Sequence, residues 1–195
     1  MNAKLLALAG LLALPGAALA TDLNYNYIEA DYVTIDVDDI DEDFDGWAVN
    51  GSFLITEQVF IFGGYSDISS DRIGGFKLST EGVTLGLGYR HELTRQTDLN
   101  FAGAFERAKA KAELGGFGSE SVSENGYSLA VGVRHLVSPQ LELGVGAVYV
   151  DIGDGDDTNA TANALWHVTE AVALGVNLSL GSDATGYGVG VRLKF

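Results

Sequence analysis

The sequence contains no cysteine and only two prolines, and these scarcities exclude several classes of protein. Without cysteine there is no disulfide framework, and no thiolate is available for catalysis or metal binding. Cations are scarce as well: 11 Lys and Arg stand against 27 Asp and Glu, which gives a formal net charge of −16. Because a nucleic-acid-binding surface needs clustered cations to neutralise phosphates, we expect no nucleic-acid partner.

After residue 20 the chain has no apolar run as long as the roughly 20 residues of a transmembrane helix. The N-terminal stretch MNAKLLALAGLLALPGAALA places Lys4 before a short apolar run and ends in Ala-Leu-Ala. This layout predicts a secretory signal peptide over residues 1–20, cleaved after Ala20. An N-terminal membrane anchor is the alternative, but the run is too short to cross a bilayer about 30 Å thick. We therefore expect one domain, over residues 21–195.

The remainder of the chain is rich in glycine and alternates between apolar and small or polar residues. Four segments resemble one another, each with a Thr or Ser ahead of an alternating run: Thr56, Thr94, Ser138 and Thr169. They predict four short turns along one edge of a sheet. Five longer stretches rich in Gly, Ser, Asn and Asp predict loops along the opposite edge, at 36–46, 66–82, 111–126, 151–159 and 181–186.

These turns and loops separate ten predicted strands, at 25–35, 46–55, 59–66, 82–91, 98–110, 126–136, 141–151, 159–168, 172–180 and 186–195. Most have the length of about 9–11 residues that a tilted strand needs to cross a bilayer. The pattern predicts an all-β, antiparallel, up-and-down transmembrane β-barrel with ten strands, and eight strands is the alternative. FERAKAKAEL at 105–114 contains strong helix formers, but its alternate alanines favour a strand that extends beyond the membrane over a helical turn.

Aromatic residues favour a membrane barrel over a soluble, lipocalin-like one, whose outside would be polar. Tyr and Trp rings concentrate at membrane–water interfaces. We expect one aromatic girdle at the loop end, formed by Trp47, Tyr65, Tyr127, Tyr149 and Tyr187. We expect a second girdle at the turn end, formed by Tyr25, Tyr27, Tyr89, Trp166 and Phe195.

Small, polar and charged residues occupy the face that we assign to the lumen. The predicted lumen charge cluster is Glu29, Asp31, Arg90, Glu106, Arg134, Glu142, Arg192 and Lys194. Because unpaired buried charges are costly, we expect ion pairs that fill the lumen rather than a selective channel. Small residues such as Gly86, Gly88, Gly144 and Gly146 leave local room that water can enter.

The terminal run YGVGVRLKF carries apolar residues at alternate positions up to Phe195. Its residues Tyr187, Val191, Leu193 and Phe195 resemble the signal that the outer-membrane barrel assembly machinery recognises. The whole of 21–195 resembles small outer-membrane β-barrel proteins of the OmpA-transmembrane-domain and OmpX class. NYNYIEADYV, FGGYSD and ENGYSLAVGVR are particularly similar to outer-membrane proteins regulated by diffusible signal factor.

This resemblance implies secretion, signal cleavage and a location in the outer membrane of a Gram-negative bacterium, at the cell surface or on vesicles. It also implies a link to biofilm formation and virulence. The partners that follow from it are outer-membrane lipid and lipopolysaccharide, and the barrel assembly machinery and periplasmic chaperones during biogenesis. Host or surface ligands of the loops are further candidates.

Histidines and carboxylates are the candidate chemical groups. His91, His135 and His167 all fall at the turn end, where alternate strands lie about 10 Å apart, so they cannot share a metal ion. We interpret them as interfacial residues and expect no enzymatic activity and no cofactor.

The first acidic stretch contains DEDFDG, which matches the start of an EF-hand loop. Its twelfth position is Ser52 rather than a bidentate Glu, which excludes that motif. Asp41, Asp43 and Asp45 remain weak candidates for binding a divalent cation.

Two function hypotheses remain. In the first, the barrel presents acidic surface loops and has a structural, surface-interaction, adhesion or biofilm- and virulence-associated role. In the second, it is a narrow porin for small solutes.

Overall fold

A computed structural model describes residues 23–38, 43–71, 76–114 and 118–195. The predicted signal peptide lies outside these residues. The strands are β1 (Tyr27–Val37), β2 (Phe44–Leu54), β3 (Val59–Ser70), β4 (Phe76–Thr94), β5 (Thr97–Leu114), β6 (Gly118–Ser138), β7 (Leu141–Ile152), β8 (Gly155–His167), β9 (Val172–Leu180) and β10 (Ala184–Lys194). Within the described ranges, no helix is long and apolar enough to cross a membrane.

Each strand pairs antiparallel with its neighbours in the chain, and β1 pairs with β10 to close the sheet. Along the closing seam, Glu29 stands opposite Arg192 and Tyr27 stands opposite Lys194. The predicted ten-stranded, up-and-down barrel is therefore confirmed, and the eight-stranded alternative is wrong.

The four predicted turns share one capping device. In the β2–β3 turn, the Thr56 hydroxyl accepts hydrogen bonds from the backbone N–H groups of Gln58 and Val59. In the other three turns, the hydroxyls of Thr94, Ser138 and Thr169 likewise accept hydrogen bonds from backbone N–H groups two or three residues ahead. Small hydroxyl side chains that bond to the backbone two or three residues ahead favour tight turns. We call this edge of the barrel the turn end and the other edge the loop end.

The connections at the loop end are shorter than predicted, because strands extend into each predicted loop stretch. Residues 66–82 were expected to form a loop, but β3 runs to Ser70 and β4 starts at Phe76. The stretch 111–126 is likewise mostly strand, and FERAKAKAEL belongs to β5, as predicted. Pairing along these extensions satisfies backbone polar groups that irregular loops would leave to water.

The two faces of the barrel wall exchange polarity along the strands. In β1, the outward residues change from Ile28, Ala30 and Tyr32 to Thr34 and Asp36 toward the loop end. The inward residues change from Glu29 and Asp31 to Val33, Ile35 and Val37. The inward side chains near the loop end form what we call the outer core: Val33, Ile35, Val37, Phe44, Ala48, Ile68, Ala108, Ala110, Val148, Val150 and Ile152. The turn-end half thus has an apolar outside and contains the charged side chains together with a second apolar cluster that includes Phe60, Phe62 and Leu165, whereas the loop-end half has a polar outside and an apolar filling.

Candidate functional site

Charged and polar side chains meet in the lumen between the turn end and the outer core. Arg192 and Glu29 lie opposite each other in the β1–β10 register, and both are buried. Arg192 Nε donates to Glu29 Oε2 at 2.9 Å, and Nη2 donates to the same oxygen. The guanidinium also lies 4.2 Å from the centre of the Tyr27 ring. Next to this pair, Asn177 Nδ2 donates to Asp31 Oδ1 at 3.1 Å.

A second buried ion pair joins β6 and β7. Arg134 Nε donates to Glu142 Oε1 at 3.1 Å. His167 Nε2 lies 3.7 Å from the other oxygen of Glu142. The prediction that His167 is interfacial is wrong, because alternation along β8 turns Trp166 outward and His167 into the lumen.

The third pair involves a carboxylate that the sequence reasoning missed. Arg90 Nε lies 2.9 Å from Asp98 Oδ2, and Asp98 is fully buried. The sequence pattern could have identified Asp98. It alternates with Asn100 and Ala102 on one face of the strand, and their small or polar side chains indicate that this face lines the lumen.

The N-terminal segment Leu23–Asn26 lies in the turn-end mouth of the barrel, with Leu23 and Tyr25 buried. The Tyr25 hydroxyl donates to Asp98 Oδ2 at 2.9 Å and also contacts Asn100 Oδ1. Its ring lies 4.1 Å from the Arg134 guanidinium carbon and 5.0 Å from that of Arg90.

The backbone of this segment is held by the same two arginines. Arg90 Nη1 donates to the carbonyl of Leu23, and Arg134 Nη2 donates to the carbonyl of Asn24, both at 3.2 Å. The segment is therefore anchored by cations, hydrogen bonds and ring contacts at once. We call Leu23–Asn26 the N-terminal plug.

Two girdle predictions are consequently wrong. Tyr25 and Tyr27 are buried inside the barrel rather than exposed to lipid. Their parity explains the error: Tyr27 is on the same face of β1 as Glu29 and Asp31, which the alternation assigns to the lumen. An aromatic residue at the right height does not face lipid unless it also has the outward parity.

The remaining members of the predicted lumen cluster also point inward. Glu106 accepts hydrogen bonds from the hydroxyls of Thr84 and Ser128, both at 2.6 Å. Lys194 Nζ donates to the Thr169 carbonyl at 3.3 Å.

Aromatic rings occupy the room that the lumen glycines provide. A Cβ on Gly88 would stand 2.0 Å from the Phe60 ring, and one on Gly86 would stand 2.4 Å from the Phe62 ring. The expectation that water enters beside the lumen glycines is therefore wrong at Gly86 and Gly88. Space is found in two cavities of about 60 and 40 Å³, both lined by Thr161 and Asn163, and Gly144 and Gly146 line the smaller one, as expected. A buried water needs roughly 10–15 Å³ measured in this way, so each cavity has room for only a few waters.

The outer wall carries the other predicted residues. Trp47, Tyr65, Tyr89, Tyr127, Tyr149, Trp166, Tyr187 and Phe195 are all at outward positions. The Trp47 and Tyr65 rings lie 5.3 Å apart. Val191 and Leu193 are exposed on the same side as Phe195, so the proposed assembly signal lies along one face of β10. His91 and His135 are exposed.

The candidate cation site is only partly within the described residues. Asp41 lies outside them. Asp43 is exposed, and Asp45 Oδ1 accepts a hydrogen bond from the Thr34 hydroxyl at 2.6 Å. A specific site on this hairpin stays a prediction.

A comparison with protein families identifies the class of this closed barrel. The sequence profile of the outer membrane protein beta-barrel domain matches residues 5–167. The chain belongs to this family. As an outer membrane protein beta-barrel domain, it places its apolar outer wall in the lipid of the outer membrane.

Solved structures share the fold. Neisserial surface protein A is 14% identical, with a TM-score of 0.51, and the match covers 87% of this chain and 96% of that one. The NanC porin is 7% identical, with a TM-score of 0.54, over 86% and 100% of the two chains. The translocator domain of the autotransporter NalP from Neisseria meningitidis is 12% identical, with a TM-score of 0.52, over 97% and 93%. At these identities the likeness shows the fold alone. A search of curated proteins finds no match.

Proposed function

We propose that this outer-membrane barrel is a closed, non-enzymatic scaffold that holds rigid acidic hairpins at the cell surface. The observation that carries the proposal is the filling of the lumen at three levels. The N-terminal plug occupies the turn end, buried charged pairs such as Glu29–Arg192 lie between it and the outer core, and the outer core fills the loop end.

The outer core argues most strongly against a channel. Val33, Ile35 and Phe44 are at most 1% exposed. A packed apolar layer excludes water, and apolar constrictions close pores by dewetting. A solute would have to pass both this layer and the charged layer beneath it.

The hairpins at the loop end supply the surface of the scaffold. Their exposed carboxylates include Asp36, Asp38, Asp43, Asp45, Asp71, Glu120, Asp154, Asp156 and Asp183. Asp36, Asp45, Glu120 and Asp156 lie in paired strands, and the other five lie in the connections between strands. Net charge of one sign favours contacts with cationic or cation-bridged partners. An adhesion, biofilm or virulence role, regulation by diffusible signal factor and release on vesicles all belong to this proposal. One neighbour in fold is named a surface protein.

A narrow porin is the second candidate, because the two cavities adjoin at Thr161 and Asn163. One neighbour in fold is named a porin. Planar-bilayer recording of the refolded protein distinguishes the candidates. We expect no steady conductance from the unmodified barrel or from Tyr25→Ala alone, because the outer core stays packed. Brief small openings should come from Tyr25→Ala/Phe44→Ala, which loosens both the N-terminal plug and the outer core.

Tyr89→Ala is the matched control, because it removes an exposed tyrosine from the outer wall, near the same end. This variant should stay closed. Large, stable conductance steps from the unmodified protein would contradict the closed scaffold and support the porin.

The surface role has its own test. Residues 36–43 carry six carboxylates and can be replaced by an Asn-Gly turn, because Ile35 and Phe44 are register partners across β1 and β2. We expect the shortened barrel to remain folded, shown by faster migration in SDS before boiling than after. Attachment of expressing cells to a surface should fall. Unchanged attachment would argue against a role for this hairpin.

A further inference from the structure

The few cations outside the lumen are unevenly distributed. Among the described residues they are Lys77, Arg95, Arg107, Lys109 and Lys111. Arg95 lies in the turn between β4 and β5, at the turn end. The other four lie on the paired loop-end extensions of β4 and β5, on an otherwise acidic protein. Arg107, Lys109 and Lys111 alternate along the outward face of β5, and we call these three the basic stripe.

The basic stripe begins where the lipid-facing wall ends. Phe101 and Phe105 are exposed on the same face of β5, immediately below it. Phe105 pairs with Tyr127, a member of the loop-end girdle. Two residues of strand rise by about 7 Å, so Arg107 lies just above the girdle, and Lys111 lies about 13 Å further along the strand. This is the height of lipid headgroups.

Of the three cations in the basic stripe, Arg107 is the one whose charge is not already paired with a carboxylate among the described residues. Lys109 Nζ lies 2.8 Å from Glu81 Oε1, and Lys111 is paired with Glu113. Arg107 makes no ion pair with any residue in the described part of the chain, and its register partners, Val83 and Asn125, are uncharged.

The rest of the wall at this height presents no cation among the described residues. The outward positions just above the girdle on the other strands are acidic, at Asp45, Asp67, Glu81, Asp151 and Asp156, or uncharged, as at Thr34, Asn125 and Thr185. A phosphate approaching through the membrane plane therefore meets a cation only along β5 in the described part of the wall.

We propose that the basic stripe binds the phosphorylated headgroup of a glycolipid in the outer leaflet, with acyl chains against Phe101 and Phe105. Arg107 donates two parallel hydrogen bonds to a phosphate, a geometry that guanidinium favours. Lys109 and Lys111 neutralise Glu81 and Glu113 above it, so that no net negative charge there opposes the phosphate. The height and the outward direction select a membrane lipid over a soluble partner, which would meet the hairpin tips first. This inference does not depend on whether the lumen is closed.

The test is native mass spectrometry of the full chain refolded in detergent and titrated with bisphosphorylated lipid A or with fully dephosphorylated lipid A. We expect the unmodified protein to prefer the phosphorylated form. Arg107→Gln should weaken its binding about tenfold, as loss of a charge-assisted hydrogen bond does. This variant keeps the Lys109–Glu81 pair, so the wall remains intact.

Arg95→Gln is the matched control, because it removes the same charge at the turn end and should leave binding unchanged. Each variant is first shown to be folded by its heat-dependent migration in SDS. Equal binding of the two lipid A forms, equal binding by Arg107→Gln and the unmodified protein, or an equal loss in Arg95→Gln would each overturn the proposal.

Discussion

Replacing Arg192 by Met should lower the free energy of unfolding by about 3–5 kcal/mol, the usual cost of leaving a buried charge without its partner. Arg192 is 1% exposed and Glu29 is 3% exposed, so water cannot replace the lost guanidinium. The substitution removes both hydrogen bonds to Glu29 Oε2 and the contact with the Tyr27 ring. Arg192→Lys, which retains the charge, should lose less.

The double variant Glu29→Met/Arg192→Met separates the charge effect from a packing effect. Replacing both members of a buried pair by apolar side chains of similar size is often neutral, so most of the lost stability should return. A double variant as unstable as Arg192→Met would refute the reasoning, and so would a loss below about 1 kcal/mol in the single variant.

Urea unfolding from lipid vesicles, followed by tryptophan fluorescence, measures these differences. Trp47 and Trp166 are both exposed on the outer wall, and no tryptophan lies in the lumen of the described barrel. Their emission therefore reports transfer from lipid to water at both ends of the wall. Unchanged m-values would show that the variants unfold to equally expanded states.

Three further predictions concern other parts of the molecule. In the barrel with the N-terminal plug and outer core already loosened (Tyr25→Ala/Phe44→Ala), changing Arg134 and Glu142 together to Ala should raise conductance in planar bilayers further, because opposed charges leave the lumen; an unchanged trace would show that the charged layer does not limit passage. Deleting Phe195 should lower assembly in cells more than refolding in detergent, and equal losses would mean that it acts through stability alone. Calcium titration of the refolded protein should show weak binding at most, and tight stoichiometric binding that is lost in Asp43→Asn/Asp45→Asn would reveal a specific site.

Alternation and turn chemistry were sufficient to predict the strands, because both are local. Glu29 and Arg192, which stand opposite each other in the β1–β10 seam, are 163 positions apart in sequence, yet parity alone assigned them to one face. Which cation meets which carboxylate depends on register and tilt. The sequence therefore predicted ion pairs without identifying Asp98 as the partner of Arg90.

The wrong predictions have two causes. In one, a residue's height along the barrel axis was considered without the inward or outward direction set by strand alternation. In the other, the polarity of a stretch was interpreted without its height along the axis. Tyr25 and Tyr27 have the right height for a girdle and the wrong parity. The loop-end stretches contain Ser, Asp and Gly because their outward positions face water, not because the backbone is irregular. In β1, the switch from Tyr32 to Thr34 on one face and from Asp31 to Val33 on the other was the available signal.

The exchange of polarity along the strands has a mechanical consequence. From Phe105 to Leu114, β5 continues for about 30 Å of strand length beyond the girdle. Sliding the barrel inward would put Asp45 and Asp67 into hydrocarbon, and sliding it outward would expose apolar wall to water. The barrel therefore has one preferred depth in the membrane, and its hairpin tips are held at a fixed distance from the bilayer. Foreign peptides inserted at those tips would be displayed at that distance.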